Sequence, residues 1–363
     1  MKMQKKEYIF DLIRTFAILS VVFCHSIESV YYIFQDRAIL YQNISVFSKI
    51  FDLTGITIGR LGVPIFLFLT GALLGSKTFN NNGDIKKFYK KKLIPLLTII
   101  EIWIIIWNIF ILAFFSWRNE TPIISIFSLL QNIFLLKTVD YILPAWYAPM
   151  IIGIYLFIPF VAIIINKFDF KTLKIPLIVS IIYFFALPTA NVILNIYNIN
   201  LTSNIDLFFS GGVFGLYIIL GFFINKGLLR NIKSYILYLI FMISFISCII
   251  FQYSLTTKEV FYKLSYDNIF LLICSCSLFE IFIRVFTKKK IFPKFCEYIS
   301  KISFPIFLIH NLIQYIIFQS NIFSDFIRPI NVVCNFILTM VLVIICIKLL
   351  SLNKYTKKYL LKL

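Results

Sequence analysis

Ten runs of mostly apolar residues, each near bilayer length, divide this sequence from end to end. They cover approximately residues 9–32, 51–75, 93–115, 146–165, 175–188, 205–224, 235–253, 268–286, 299–319 and 329–350. A hydrocarbon core about 30 Å thick takes about 20 helical residues to cross, so each run reads as a transmembrane helix. Composition agrees, since 60% of the 363 residues are hydrophobic, against roughly 45–50% in soluble domains. The expected fold is all-α: a polytopic integral membrane protein with one transmembrane domain over residues 1–363. The run 123–136 is apolar but short and reads as an interfacial or re-entrant segment. The fifth span, also short, reads as tilted or kinked at its ends.

A formal charge of +19 raises nucleic acid as a partner, and its placement argues against that. The basic residues fall in short clusters between the apolar runs, as cytoplasmic membrane flanks do. With ten spans, one side holds Lys2, Lys5 and Lys6, then Lys77, Lys86, Lys87, Lys90, Lys91 and Lys92, then Lys167, Lys171 and Lys174. Lys226, Arg230 and Lys233 follow on that side, then Lys288, Lys289, Lys290 and Lys294, and finally Lys354, Lys357, Lys358 and Lys362. The other side shows scattered cases only: Arg37, Lys49, Arg118, Lys137, Lys258, Lys263 and Arg328. Both termini are therefore expected in the cytoplasm, in a multi-pass protein of the cytoplasmic membrane whose partner is the lipid bilayer and not nucleic acid. An eleventh span at 123–136 would put the later clusters on alternating wrong sides. The seven cysteines are odd in number and mostly intramembrane, which indicates neither a disulfide framework nor a metal site. The first run carries charge and lacks a small-residue cleavage site, so it reads as a span and not as a signal peptide.

Charged side chains inside such spans are costly and mark functional sites by default. The first run carries Arg14 and His25, eleven residues apart. At about 100° per residue they share one helix face and lie ~16 Å apart in depth, with Asp11 and Glu28 three residues outside them. The bland alternative is a snorkelling arginine and a helix-packing histidine. Arg60 lies in the outer half of the second span, followed by Pro64, which permits a kink, and Gly71, which permits close helix approach. The run Lys86-Lys87-Phe88-Tyr89-Lys90-Lys91-Lys92 reads as an ordinary inside flank or as a site for a phosphate-bearing ligand. Glu101 sits beside Trp103 and Trp107. Trp146 and Tyr147 open the fourth span, where an aromatic belt is expected. Asp206 and Asp267 are expected near the outer surface. Glu280 and Arg284 are spaced to pair on one face. His310, the second of two histidines, falls near mid-membrane.

Together these residues resemble the membrane-bound acyltransferase 3 family. The opening Tyr8-Ile9-Phe10-Asp11-Leu12-Ile13-Arg14-Thr15 with His25 is similar to that family's first span, whose hallmark is an Arg and a His separated by ten residues. Further matches are Val63-Pro64-Ile65-Phe66 with Thr70-Gly71, the basic run before Pro95, and Trp146-Tyr147 with Gly153-Ile154-Tyr155-Leu156 and Pro159. Gly215-Leu216-Tyr217 with Gly221, and Ser303-Phe304 with Leu308-Ile309-His310, complete the set. The likeness runs from residue 8 to about 350. It is nearest to the branch that O-acetylates surface polysaccharides, without the extra extracytoplasmic hydrolase-like domain.

The resemblance implies transfer of an acyl group, usually acetyl, from cytoplasmic acetyl-CoA to a carbohydrate acceptor at or beyond the outer face, without a metal. It implies His25 as the catalytic histidine with Arg14 as its partner, and Lys90, Lys91 and Lys92 facing the phosphates of CoA. Arg60, Trp146, Tyr147 and His310 become candidate substrate-binding residues. Three positions depart from the pattern: relatives often carry Arg in the basic run, many have His where this chain has Pro144, and the usual Ser is Thr70. A sugar hydroxyl is a weak nucleophile near neutral pH, and a histidine within hydrogen-bond reach supplies the missing base. On that reading His25 takes the hydroxyl proton, directly or through an acyl relay, Glu28 orients the imidazole, and Arg14 stabilises charge on the donor or holds the cofactor in the channel. Cys24 points ~100° away from His25 and is set aside as an acyl carrier. Two rivals remain from the pattern alone: a polysaccharide or small-molecule transporter, and a non-catalytic partner of a polysaccharide synthesis machinery.

Overall fold

Helix dominates the computed structural model, which describes residues 2–32, 43–75, 77–120, 125–139, 143–202, 205, 207, 211–256, 262–288 and 293–363, and no strand occurs among them. Arg37, Asp206, Lys258, Lys289, Lys290 and the first residues of 123–136 lie outside the described residues. Among the described residues, eight helices are long and apolar enough to span a membrane: Tyr8–Tyr31, Val46–Leu73, Asn82–Trp117, Tyr147–Lys167, Phe170–Tyr197, Ser234–Leu255, Ile269–Phe286 and Arg328–Ser351. Lys294–Lys301 and Ser303–Gln319 make a ninth when taken as one broken span, and Gly212–Asn225 is a shorter apolar helix. All ten apolar runs therefore contain helix, and the chain is a multi-pass membrane protein.

The fifth span is longer than its apolar run because helix continues through Asn191 to Tyr197. It does contain an irregularity, a π turn at Ile182–Ala186. Pro188 follows at the second position of the next helical stretch, where its missing N–H removes a regular ladder bond. The 123–136 run contributes only Ile126–Ile133, about 12 Å of helix and too short to cross. Its Asn132 donates to Asn108 Oδ1 at 3.2 Å, which ties it to the Ile94–Trp117 helix.

The chain divides into two compact units, one of residues 1–78, 160–300 and 326–332, the other of residues 79–159, 301–325 and 333–363. In the first, Gln252 is fully buried and donates to Thr57 Oγ1 at 2.9 Å. The opposite face of its helix exposes Leu239, Ile243, Ile246 and Ile250, an apolar stripe suited to lipid. In the second unit Trp107 Nε1 donates to Leu308 O at 3.1 Å and Trp103 Nε1 to Leu360 O at 2.9 Å. Those bonds seat the Ser303–Gln319 helix and the C-terminal turn on the Ile94–Trp117 helix. Ile105, Ile109 and Leu112 point outward from the same helix.

Without a hydrophobic drive between helices in lipid, association depends on close packing through small residues. The Gly62–Leu74 and Gly212–Asn225 helices of the first unit meet in this way. A Cβ added at Gly71 would lie 1.9 Å from Ile218 O, and one at Gly221 would lie 2.3 Å from Phe68 Cα. A Cβ at Gly153, by contrast, meets no atom of the described residues within 4 Å. Gly221→Ala therefore lowers the unfolding temperature in detergent, at a cost of about 1–3 kcal/mol. Gly153→Ala leaves that temperature unchanged or raises it, because alanine is the better helix former.

Candidate active site

His25 and Glu28 are three residues apart, so they lie on one face of the first helix. The ring Nδ1 is 2.7 Å from Glu28 Oε2. The next span presses against this stretch of helix, since a Cβ on Gly59 would lie only 2.4 Å from Cys24 Cβ. That approach carries the neighbouring Arg60 to the carboxylate, with Nη2 3.4 Å from Glu28 Oε1. Helix Val46–Arg60 ends here and Gly62–Leu74 begins. Pro64 lacks the N–H that the Arg60 carbonyl would accept in an unbroken helix.

A second cation comes from a distant part of the same unit. Lys263 Nζ contacts Glu28 Oε1 directly. The segment that carries it is anchored at its far end: Tyr217 donates to Tyr266 O at 2.9 Å, and Asn268 Oδ1 accepts from the amides of Phe270 and Leu271 at the start of the next helix. The Arg60 guanidinium carbon lies 4.8 Å from the centre of the Tyr266 ring, within cation–π range. Burial pushes the Tyr266 phenol up to about 12, with Arg60 opposing that rise, so it stays protonated near neutral pH.

The Glu28 side chain is 4% exposed. Two cations on one oxygen keep this carboxylate ionised, because a buried charge is tolerated only when paired. An ionised carboxylate can only accept, so His25 Nδ1 carries the proton and donates to Oε2. In a neutral ring with that tautomer, Nε2 is the accepting atom. This division of labour between the ring nitrogens suits general-base chemistry.

Arg14 belongs to a different cluster in the same unit. Its Nη1 donates to Asp11 Oδ1 at 3.2 Å and to Ser300 Oγ at 2.7 Å, and the Ser300 hydroxyl donates to Asp11 Oδ1 at 2.6 Å. Thr15 Oγ1 donates to Cys296 O at 2.8 Å one turn away. The group fastens the first helix to Lys294–Lys301. Arg14 and His25 are separated by about 16 Å of helical rise and engage different partners. Glu280 and Arg284 pair at 2.7 Å as spaced, and Arg284 also donates to the carbonyls of Ile232 and Leu229 at 2.7 Å each. That pair holds a turn.

The remaining candidates lie in the second unit. Lys90, Lys91 and Lys92 are exposed on a single π turn, Tyr89–Leu93. Trp146 closes a short 3-10 turn and Tyr147 begins the next helix, their rings 6.0 Å apart. Tyr147 packs on Phe307 at 4.9 Å, and Phe307 lies 6.1 Å from the His310 ring. His310 is fully buried and its Nδ1 bonds to Ile306 O and Phe307 O of its own helix. Trp146, Tyr147 and His310 thus belong to one aromatic cluster. Glu101 Oε2 is buried without a hydrogen-bond partner among the described residues.

Apolar stripes on the exposed helix faces and a His–Glu–Arg–Lys cluster around a buried carboxylate define a polytopic membrane protein with a polar site among its helices. The acyltransferase 3 family model, described as an acyltransferase domain, matches residues 7–350. The chain belongs to this family and is an O-acyltransferase. Comparison with curated proteins gives no match, and neither does comparison with solved structures.

The cluster gives a direct stability prediction. Glu28→Ala leaves Arg60 and Lys263 without their shared carboxylate, and removing one partner of a buried pair costs about 3–5 kcal/mol. Unfolding followed in nanodiscs gives a clear drop for Glu28→Ala and a smaller one for Glu28→Gln, which keeps a hydrogen-bond acceptor. An unchanged Glu28→Ala protein would show that the pairing stores no stability.

Proposed function

We propose that the protein transfers an acyl group, acetyl first among candidates, from cytoplasmic acetyl-CoA to a hydroxyl of a cell-surface or lipid-linked carbohydrate. The membrane is the cytoplasmic one, with both termini inside and the acceptor at its outer face, an orientation supported by the distribution of lysine along the chain. His25 is the general base. The observation that carries the reading is the 2.7 Å bond between His25 Nδ1 and Glu28.

The acceptor hydroxyl oxygen attacks the thioester carbonyl carbon while its proton passes to His25 Nε2. The carbon–sulfur bond then breaks and the thiolate leaves, taking up the proton from the imidazolium. Glu28 favours the step because its charge lies beside the ring nitrogen that keeps its proton, so the imidazolium forms next to an anion. Arg14 lies too far along the helix to act on the same proton and is assigned to the donor side. Lys90, Lys91 and Lys92 offer three ammonium groups on one turn, which suits the several phosphates of CoA as point charges without bidentate recognition. Arg60, Trp146, Tyr147 and His310 are assigned to the acceptor. A polysaccharide synthesis machinery is the expected partner.

Loss of a positioned general base typically costs about 10²–10⁴-fold in rate. In a deletion strain, the wild-type gene restores O-acetyl groups on the surface polysaccharide, and His25→Ala expressed at the same level does not. Restoration by His25→Ala would remove the general-base reading. A fall in exported polymer at constant O-acetyl content per unit would favour the transporter alternative.

A further inference from the structure

Glu28 accepts from more cations than its single charge requires. Arg60 alone would balance it, yet Lys263 lies on the same oxygen, Oε1. The Arg60 contact, 3.4 Å, is longer than the roughly 2.7–2.9 Å of a good charge-assisted bond. Arg60 is also drawn toward the Tyr266 ring. A neutral His25 contributes one hydrogen bond and no charge. Lys263 is the group that settles onto Oε1, reaching in from a side chain 36% exposed to a carboxylate 4% exposed. Its origin is fixed by Tyr217 and Asn268, which hold the backbone just beyond it.

We infer that Lys263 is a positioning residue for acyl transfer: by occupying Glu28 Oε1 it fixes the carboxylate so that Oε2 faces the Nδ1–H of His25. The inference deepens the proposed function and rests on His25 acting as general base. Lysine suits the task because its ammonium is a compact point charge on a long flexible stem. An orienting group of this kind acts through another residue; loss of the partners that orient metal-bound histidines typically costs about 10- to 100-fold in activity, and the same scale is expected here.

The test is a double-mutant cycle with the purified full-length protein in proteoliposomes. Acetyl-CoA is the donor and chemically deacetylated host surface polysaccharide the acceptor. Lys263→Met lowers kcat about 10- to 100-fold while KM for acetyl-CoA is unchanged, and Lys263→Arg, which keeps the charge, recovers most of the rate. In a Glu28→Gln background Lys263→Met causes little further loss, because the two residues act through one interaction. Unfolding temperatures measured on the same samples separate this from a folding defect, and Lys263→Arg keeps the question open to measurement if Lys263→Met does not fold. Additive losses, an effect confined to KM, or a folded Lys263→Arg as impaired as Lys263→Met would each overturn the assignment. Wild-type kcat in Lys263→Met beside an inactive His25→Ala defeats this inference alone. Equal activity in wild type and His25→Ala defeats the general-base reading on which it stands.

Discussion

A carboxylate buried inside a bundle that faces lipid is unfavourable unless other groups compensate its charge. Glu28 is compensated by three side chains from three places in one unit: His25 on its own helix, Arg60 on the next, and Lys263 from the segment before Ile269–Lys288. The pairing therefore bears on the packing as well as on the chemistry. Helix spacing sets His25 beside Glu28, glycine packing brings Arg60 within reach, and the anchored 262–268 segment supplies Lys263. The same arrangement fixes the imidazole tautomer, since an ionised carboxylate leaves Nδ1 no role but donor.

The first helix has two polar ends, and they are built differently. At Arg14 a cation, a carboxylate and a hydroxyl close a ring of hydrogen bonds with Ser300. At Glu28 the carboxylate is central and the cations surround it. The Arg14 ring binds the first helix to a neighbouring one and satisfies its own groups. The Glu28 cluster holds the His25 ring through its Nδ1. An arginine and a histidine on one helix face thus serve two separate sites, with about 16 Å of helix between them.

Much of this was legible in the sequence. The ten apolar runs locate the helices, because crossing a bilayer demands length and apolarity that few other folds require. The pairing of His25 with Glu28, and of Glu280 with Arg284, follows from three- and four-residue spacing. What lies outside a single helix was not legible. Lys263 and Tyr266 sit in a polar stretch that counts, by charge alone, as outer flank, and no local pattern ties them to residue 28. Ser300 and Asp11 are likewise joined only by the fold. The length of the fifth span was missed for another reason: hydropathy reads Asn191 to Tyr197 as too polar, while the backbone continues as helix through them.

In the proposed reaction His25, held by Glu28, draws the proton from an acceptor hydroxyl during acyl transfer. Its most direct measurement is covalent labelling in proteoliposomes, with acetyl-CoA radiolabelled in the acetyl group on the side of the chain termini and deacetylated polysaccharide on the other. Wild type is expected to leave ester-linked label on the polysaccharide, and a folded His25→Ala at least two orders of magnitude less. Equal labelling by His25→Ala, or label that crosses the membrane without joining the polysaccharide, would contradict it.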